Sequence, residues 1–86
     1  MINKVFSVYD AKAKAYLPPF FLHEEGLAIR AFSNCANDPD HQFGQNPEDY
    51  TLFLIGQYDD ITAELIPETP STLGNALQYK GETNGE

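Results

Sequence analysis

Alternating apolar and polar positions predict three strands in this chain. Residues 2–9 (INKVFSVY) and 50–58 (YTLFLIGQY) both alternate and are rich in β-branched and aromatic side chains, a pattern typical of strands. A third apolar run, residues 61–66 (ITAELI), follows directly after Asp59 and Asp60. We expect the last two strands to form a hairpin that turns at these aspartates, with the turn type left open because neither Asn-Gly nor Asp-Gly is present.

Two consecutive prolines limit the structure of the segment KAYLPPFF, residues 14–21. Tyr16 and Leu17 lead into an extended segment, but Pro18 and Pro19 have no N–H group to donate to a neighbouring strand. A strand at this place is therefore interrupted or confined to the edge of a sheet. The two phenylalanines after the prolines are expected to continue in an extended conformation.

One helix is predicted. Residues 24–36 carry apolar side chains at intervals of three and four positions, which is the spacing of one helix face, and residues 37–39 (NDP) end it. Residues 38–49 read as a long polar loop interrupted only by Phe43, and loops of this length are uncommon unless they are functional or mobile. After Pro67 there is one weak apolar cluster, which is compatible with either a short docked helix or a strand.

The order of these elements predicts the fold class α+β. A β-β-α-β-β order favours a small antiparallel sheet of about four strands with one main helix packed on one face. We expect one domain over residues 1–80 and a disordered tail over 81–86, which has no apolar side chain. Because a chain of 86 residues buries a modest share of its surface, and the edge beside Pro18 and Pro19 is free to pair, we also expect a homodimer.

The charge of the chain is acidic and unevenly distributed. Its formal net charge of −8 argues against generic binding of duplex DNA, which depends on lysine and arginine. Residues 1–22 nevertheless carry three lysines and one aspartate, whereas residues 38–49 and 59–68 carry four carboxylates each. No apolar run approaches the roughly 18 residues of a membrane span, and the N-terminus has no export signal, so we expect a cytoplasmic protein without membrane contact.

The candidates for catalysis and metal binding are weak. Cys35 follows an apolar spacing and is expected to be a buried thiol that acts as a small hydrophobe rather than as a nucleophile. His23 at the helix start reads more readily as a surface histidine than as a general base, and residues 38–41 (DPDH) more readily as a solvated loop than as half of a metal site. We therefore expect a non-enzyme without catalytic residues, metal or cofactor.

Aromatic and basic side chains are interleaved in the N-terminal third, as in proteins that bind single-stranded nucleic acid by stacking bases on exposed rings while lysines follow the backbone. The alternative is that the rings belong to the core. The side chains that we expect at such an interface are Lys4, Lys12, Lys14 and Arg30 on phosphates, and Tyr16, Phe20 and Phe21 on bases.

Three segments carry a family resemblance: SVYDAKAKAYLPPFF (7–21), AIRAFSNCANDPDHQF (28–43) and NPEDYTLFLIGQYDD (46–60). Together they resemble the small nonstructural protein of gokushoviruses, which are single-stranded DNA phages of the microvirus group. The resemblance implies a protein of the host cytoplasm that is absent from the mature virion. It also implies a DNA-binding or replication-control factor, associated with the change from copying duplex intermediates to making single strands for packaging.

Two functions from different classes follow, with single-stranded DNA binding through the N-terminal strands as the leading hypothesis. The alternative is an acidic protein-interaction module whose contact surfaces are residues 38–49 and 59–68, and which recruits or inhibits a host or phage replication protein. A transient assembly factor is a third possibility.

Overall fold

The computed structural model describes residues 1–81, which form five strands, three short or medium helices and one 3-10 turn. The strands are β1 (Ile2–Asp10), β2 (Ala15–Tyr16), β3 (Phe20–Leu22), β4 (Tyr50–Asp59) and β5 (Glu64–Asn75). The helices are α1 (Glu25–Ala36), α2 (Gln42–Gln45) and α3 (Ala76–Tyr79), with the 3-10 turn at Pro47–Asp49. Of the predicted tail, residues 82–86 lie outside the described residues.

All strands join one antiparallel sheet in which β1 is central, with β4 and then β5 on one side of it and both β2 and β3 on the other. β2 and β3 are two parts of one edge strand, separated by Pro18 and Pro19. Between them the Leu17 N–H donates to the Val8 carbonyl, at 2.8 Å, and the Ser7 hydroxyl donates to the Leu17 carbonyl, at 2.6 Å. The predicted proline interruption at a sheet edge is confirmed.

The core lies between one face of this sheet and the helices. Phe6 and Val8 from β1 and Leu52 from β4 are buried against Ala28 and Phe32 from α1. These helix residues recur every four positions and so share one face of α1. The predicted α+β class, with an antiparallel sheet and one main helix packed on one face, is confirmed.

The predicted loop 38–49 contains more structure than its polar sequence indicated. His41 precedes α2, and its Nδ1 atom accepts a hydrogen bond from the Phe43 N–H at 3.0 Å. Phe43 is buried, and its ring centroid lies 5.4 Å from that of Phe32. Pro47 then begins the 3-10 turn, a position where its missing N–H costs nothing. A capping side chain and one buried ring thus hold a helix that hydrophobic periodicity could not predict.

The last strand is longer and begins later than predicted. We expected residues 61–66, but residues 60–63 form the turn, with Ala63 at φ 65°, and β5 runs over Glu64–Asn75. β5 pairs only with β4, so its prolines Pro67 and Pro70 lie on an edge strand, where proline is tolerated.

The segment after β5 docks as a helix, one of the two outcomes that the sequence left open. The Asn75 side chain caps α3 by accepting from the Leu77 N–H, at 2.9 Å. Asn37, just after α1, donates to the Tyr79 carbonyl at 3.0 Å, and the Lys80 ammonium donates to the Gly44 carbonyl at 3.0 Å. None of the described helices is long and apolar enough to cross a membrane.

Candidate nucleic-acid interface

The strand register divides the sheet into a helix face and a second face, here called the open face. Residues directly opposite each other on paired strands point to the same side, and neighbours along a strand point to opposite sides. Since Phe6 and Val8 point into the core, the residues between and beside them on β1 point to the open face. Tyr9 is one of these residues, and Asn3, two positions before Val5, points the same way. The cross-strand partners of the β1 residues on this face add four more rings: Tyr16, Phe21, Phe53 and Tyr58.

These five rings form two groups. The ring centroid of Tyr16 lies 5.0 Å from that of Tyr9 and 5.6 Å from that of Phe53, both in edge-to-face geometry. The centroids of Phe21 and Tyr58 are 5.4 Å apart, again edge to face. Tyr16 and Phe21 remain 47% and 45% exposed. Each group therefore holds one half-exposed ring in a fixed orientation by packing it against its neighbours.

The strand carboxylates lie on the other side of the sheet. Asp10 is paired with the core residue Tyr50, and Asp59 is paired with Glu64 on the helix face. Glu68 accepts a hydrogen bond from Gln57, a helix-face residue, at 2.6 Å. By register the strands thus contribute no carboxylate to the open face within residues 1–81, although the chain as a whole is acidic.

The cations of the predicted interface are divided between the two sides. Lys12 and Lys14 are exposed in the turn between β1 and β2, next to the open-face residue Tyr16. Lys4 is paired with Leu22 and Gln57 on the helix face. Arg30 is an exposed residue of α1, which covers that same helix face. The structure therefore brings Lys12 and Lys14 to the rim of the open face and keeps Lys4 and Arg30 away from it.

The predicted rings Phe20 and Phe21 also separate, because adjacent strand residues face opposite ways. Phe20 packs against the core, with its ring stacked on that of Phe6 at a centroid distance of 5.6 Å. Phe21 lies on the open face with Tyr16. Three open-face rings were missing from the predicted site, Tyr9, Phe53 and Tyr58, of which the first two could have been found from their alternation with core residues.

Cys35 is partly buried beside an apolar cavity of about 210 Å³ lined by Phe20, Phe32 and Phe43. Burial raises the pKa of the Cys35 thiol, and the nearby Asp38 carboxylate raises it further. Within residues 1–81, no three histidine, cysteine, aspartate or glutamate side chains come together as a metal site.

We expect Cys35 to be alkylated by iodoacetamide several-fold more slowly in the folded protein than in the same protein unfolded in urea. The physical reason is that a raised pKa leaves less thiolate at neutral pH, and the thiolate is the reacting species. Mass spectrometry of timed samples measures both rates. A folded rate equal to the unfolded one, in a sample whose circular dichroism shows intact structure, would contradict this.

Fold and site together define a small α+β protein whose sheet has helices on one face and an aromatic, carboxylate-free second face. A family model described as Phage ORF5 protein matches residues 3–79, which include all five open-face rings. The chain therefore belongs to this family of phage proteins. Comparisons with curated proteins and with solved structures gave no match.

Proposed function

We propose that this phage protein binds single-stranded DNA on the open face of its sheet. The observation that carries the proposal is the set of five rings on one uncovered face whose strands place all their carboxylates on the opposite side. An exposed ring accepts the face of an unpaired base, and such stacking contributes about 1–3 kcal/mol per base.

The arrangement favours single strands over duplexes. Tyr16 and Phe21, the two most exposed rings, can stack only on bases whose faces are free. Lys12 and Lys14 lie at the Tyr16 end of the face, where their ammonium groups can contact the phosphates. Ring faces accept any base, so the binding is expected to show little sequence preference, and two nearby lysines give a modest, salt-sensitive affinity.

Membership of a phage family and the resemblance in residues 7–60 support a proposal about the biological setting. We propose that it is a gokushovirus nonstructural protein that acts in the host cytoplasm and is absent from the mature virion. Its proposed role is to hold newly made single strands during the change from duplex copying to packaging. A homodimer would double the lysines available to one strand and raise the affinity through multivalency.

Fluorescence anisotropy with a labelled oligothymidylate and with a duplex of equal length, each at low and high salt, tests the proposal. We expect binding of the single strand at low salt and weaker binding of the duplex. Tyr16→Ala should weaken single-strand binding by about 5- to 150-fold, the equivalent of about 1–3 kcal/mol of lost stacking.

Two cation variants provide the matched control. Lys12→Ala should weaken binding and reduce its salt dependence, whereas Arg30→Ala, which removes the same charge from α1 on the other side of the sheet, should leave the affinity nearly unchanged. Absence of single-strand binding at low salt would refute the proposal. Equal losses in the two variants would refute its placement on the open face.

A further inference from the structure

The end of the sheet at the β4–β5 turn is unusually apolar for a solvent-exposed surface. We call it the hairpin end, and it consists of residues 59–68 together with Met1 and Ile2. Every residue from 60 to 72 is exposed. Five of the nine exposed large hydrophobic side chains of the described chain lie at this end: Met1, Ile2, Ile61, Leu65 and Ile66.

An apolar cleft opens beside these side chains. It has a volume of about 300 Å³, and its lining includes Val5, Leu65 and Pro67, which the strand register places on the open face. It lies where the register between β4 and β5 shifts, next to Gly56. The irregular pairing separates side chains that a regular ladder would bring together, and so leaves room for an apolar group from another molecule.

The charge at the hairpin end is strongly negative. Asp59, Asp60, Glu64 and Glu68 lie within ten consecutive residues. Asp60 forms a salt bridge with the Met1 ammonium group, at 2.7 Å, whereas the other three carboxylates make no salt bridge to any residue in the described range 1–81.

We propose that the hairpin end is a docking surface for a cationic polypeptide segment of another protein that also carries apolar side chains. Apolar side chains of such a segment would pack on Ile2 and Ile66 and enter the cleft on the other face of the edge strand β5. Its lysines or arginines would pair with Asp59 and Glu64, which share the helix face with Ile2 and Ile66. Nucleic acid is repelled by this charge. A second copy of the chain would bring four more carboxylates to the same place, and like charges across an interface oppose association.

The proposal goes beyond the proposed DNA binding, and only the cleft adjoins the open face, because Val5 is paired with Phe21 and Leu65 with Tyr58. The Lys12 and Lys14 turn follows the last residue of β1, whereas the hairpin end includes its first, and the nine residues of β1 span roughly 25–30 Å. The turn with Lys12 and Lys14 and the hairpin end are therefore at opposite ends of β1.

Anisotropy titration of the intact protein with a labelled ten-residue peptide that alternates lysine and leucine tests the proposal. Peptides that alternate lysine with serine, and glutamate with leucine, serve as ligand controls and should bind at least tenfold more weakly. Leu65→Ser should weaken binding of the lysine–leucine peptide at least tenfold. Leu77→Ser is the matched variant, because Leu77 is 57% exposed and Leu65 is 63% exposed. It should leave binding unchanged, since Leu77 lies on α3 and not at the hairpin end.

A second pair of variants separates local from overall charge and does not depend on an apolar substitution. Glu64→Gln with Glu68→Gln should weaken peptide binding, whereas Asp40→Asn with Glu48→Gln, the same change in net charge in the segment 38–49, should not. Equal weakening by both pairs would overturn the proposal, since binding would then follow net charge alone. It would also be overturned if Leu65→Ser dissociated a dimer in sedimentation equilibrium without changing peptide affinity, because the second copy would then be the occupant.

Discussion

Phe6→Ala is expected to lower the free energy of unfolding by about 3–5 kcal/mol, the usual cost of truncating a fully buried phenylalanine. Phe6 is 0% exposed, at the centre of the core between β1 and the helices. Its removal leaves a cavity, and Phe20 loses the ring on which it stacks. Because small domains have only about 5–15 kcal/mol of stability in total, much of the Phe6→Ala protein should be unfolded under mild denaturing conditions.

Urea unfolding followed by circular dichroism measures this loss, and Phe21→Ala is the matched control. Phe21 is paired with Val5, the neighbour of Phe6 on β1, but it faces the open side of the sheet. Since its ring is only partly buried, its truncation should cost about 1 kcal/mol. Equal losses for the two variants would mean that the helix face is not the dominant core.

The elements that were predicted correctly are those whose conformation is set by residues close together in the sequence. The alternation in β1 and β4, the three-and-four spacing of α1 and the missing N–H groups of Pro18 and Pro19 act over a few residues each. β5 was mispredicted because it is an exposed edge strand, so its sequence needs no apolar alternation and can include prolines. The helix α2 is four residues long and depends on packing of Phe43 that no local pattern reveals.

The open face was only partly predictable because the face of each ring depends on strand register. Tyr16 and Phe21 were predicted, but which of Phe20 and Phe21 faces solvent could not be decided from their sequence. Phe53 follows from alternation with core residues on β4. Tyr58 does not, since an extra residue in β4 at the register shift turns Tyr58 from the helix face to the open face, where it meets Phe21.

The sequence also predicted the uneven charge but not its relation to the sheet. Lys12 and Lys14 were known to lie near Tyr16, and Asp59 and Asp60 were known to lie in a turn. Only the antiparallel pairing of β1 with β4 places these two groups at opposite ends of one sheet.

Gly44→Ala is expected to destabilise the fold by about 3 kcal/mol, the upper end of the usual cost of overpacking. A Cβ atom at Gly44 would overlap the Asp38 carbonyl oxygen and lie 3.3 Å from that of Ala36. Both obstacles are backbone, so α2 would have to move away from the end of α1 and take Phe43 with it. The Lys80 hydrogen bond to the Gly44 carbonyl would be displaced as well.

Gly26→Ala is the matched control for this clash, because a Cβ atom at Gly26 would meet nothing within 4 Å. Both substitutions restrict the unfolded chain equally, so the difference between their effects on the free energy of unfolding comes from the folded state. Gly26→Ala should raise the free energy of unfolding by roughly 0.5–1 kcal/mol, since alanine forms helices better than glycine. Urea midpoints should therefore move in opposite directions, and a Gly44→Ala midpoint at or above that of the parent protein would show that the contact between α2 and Asp38 is not close.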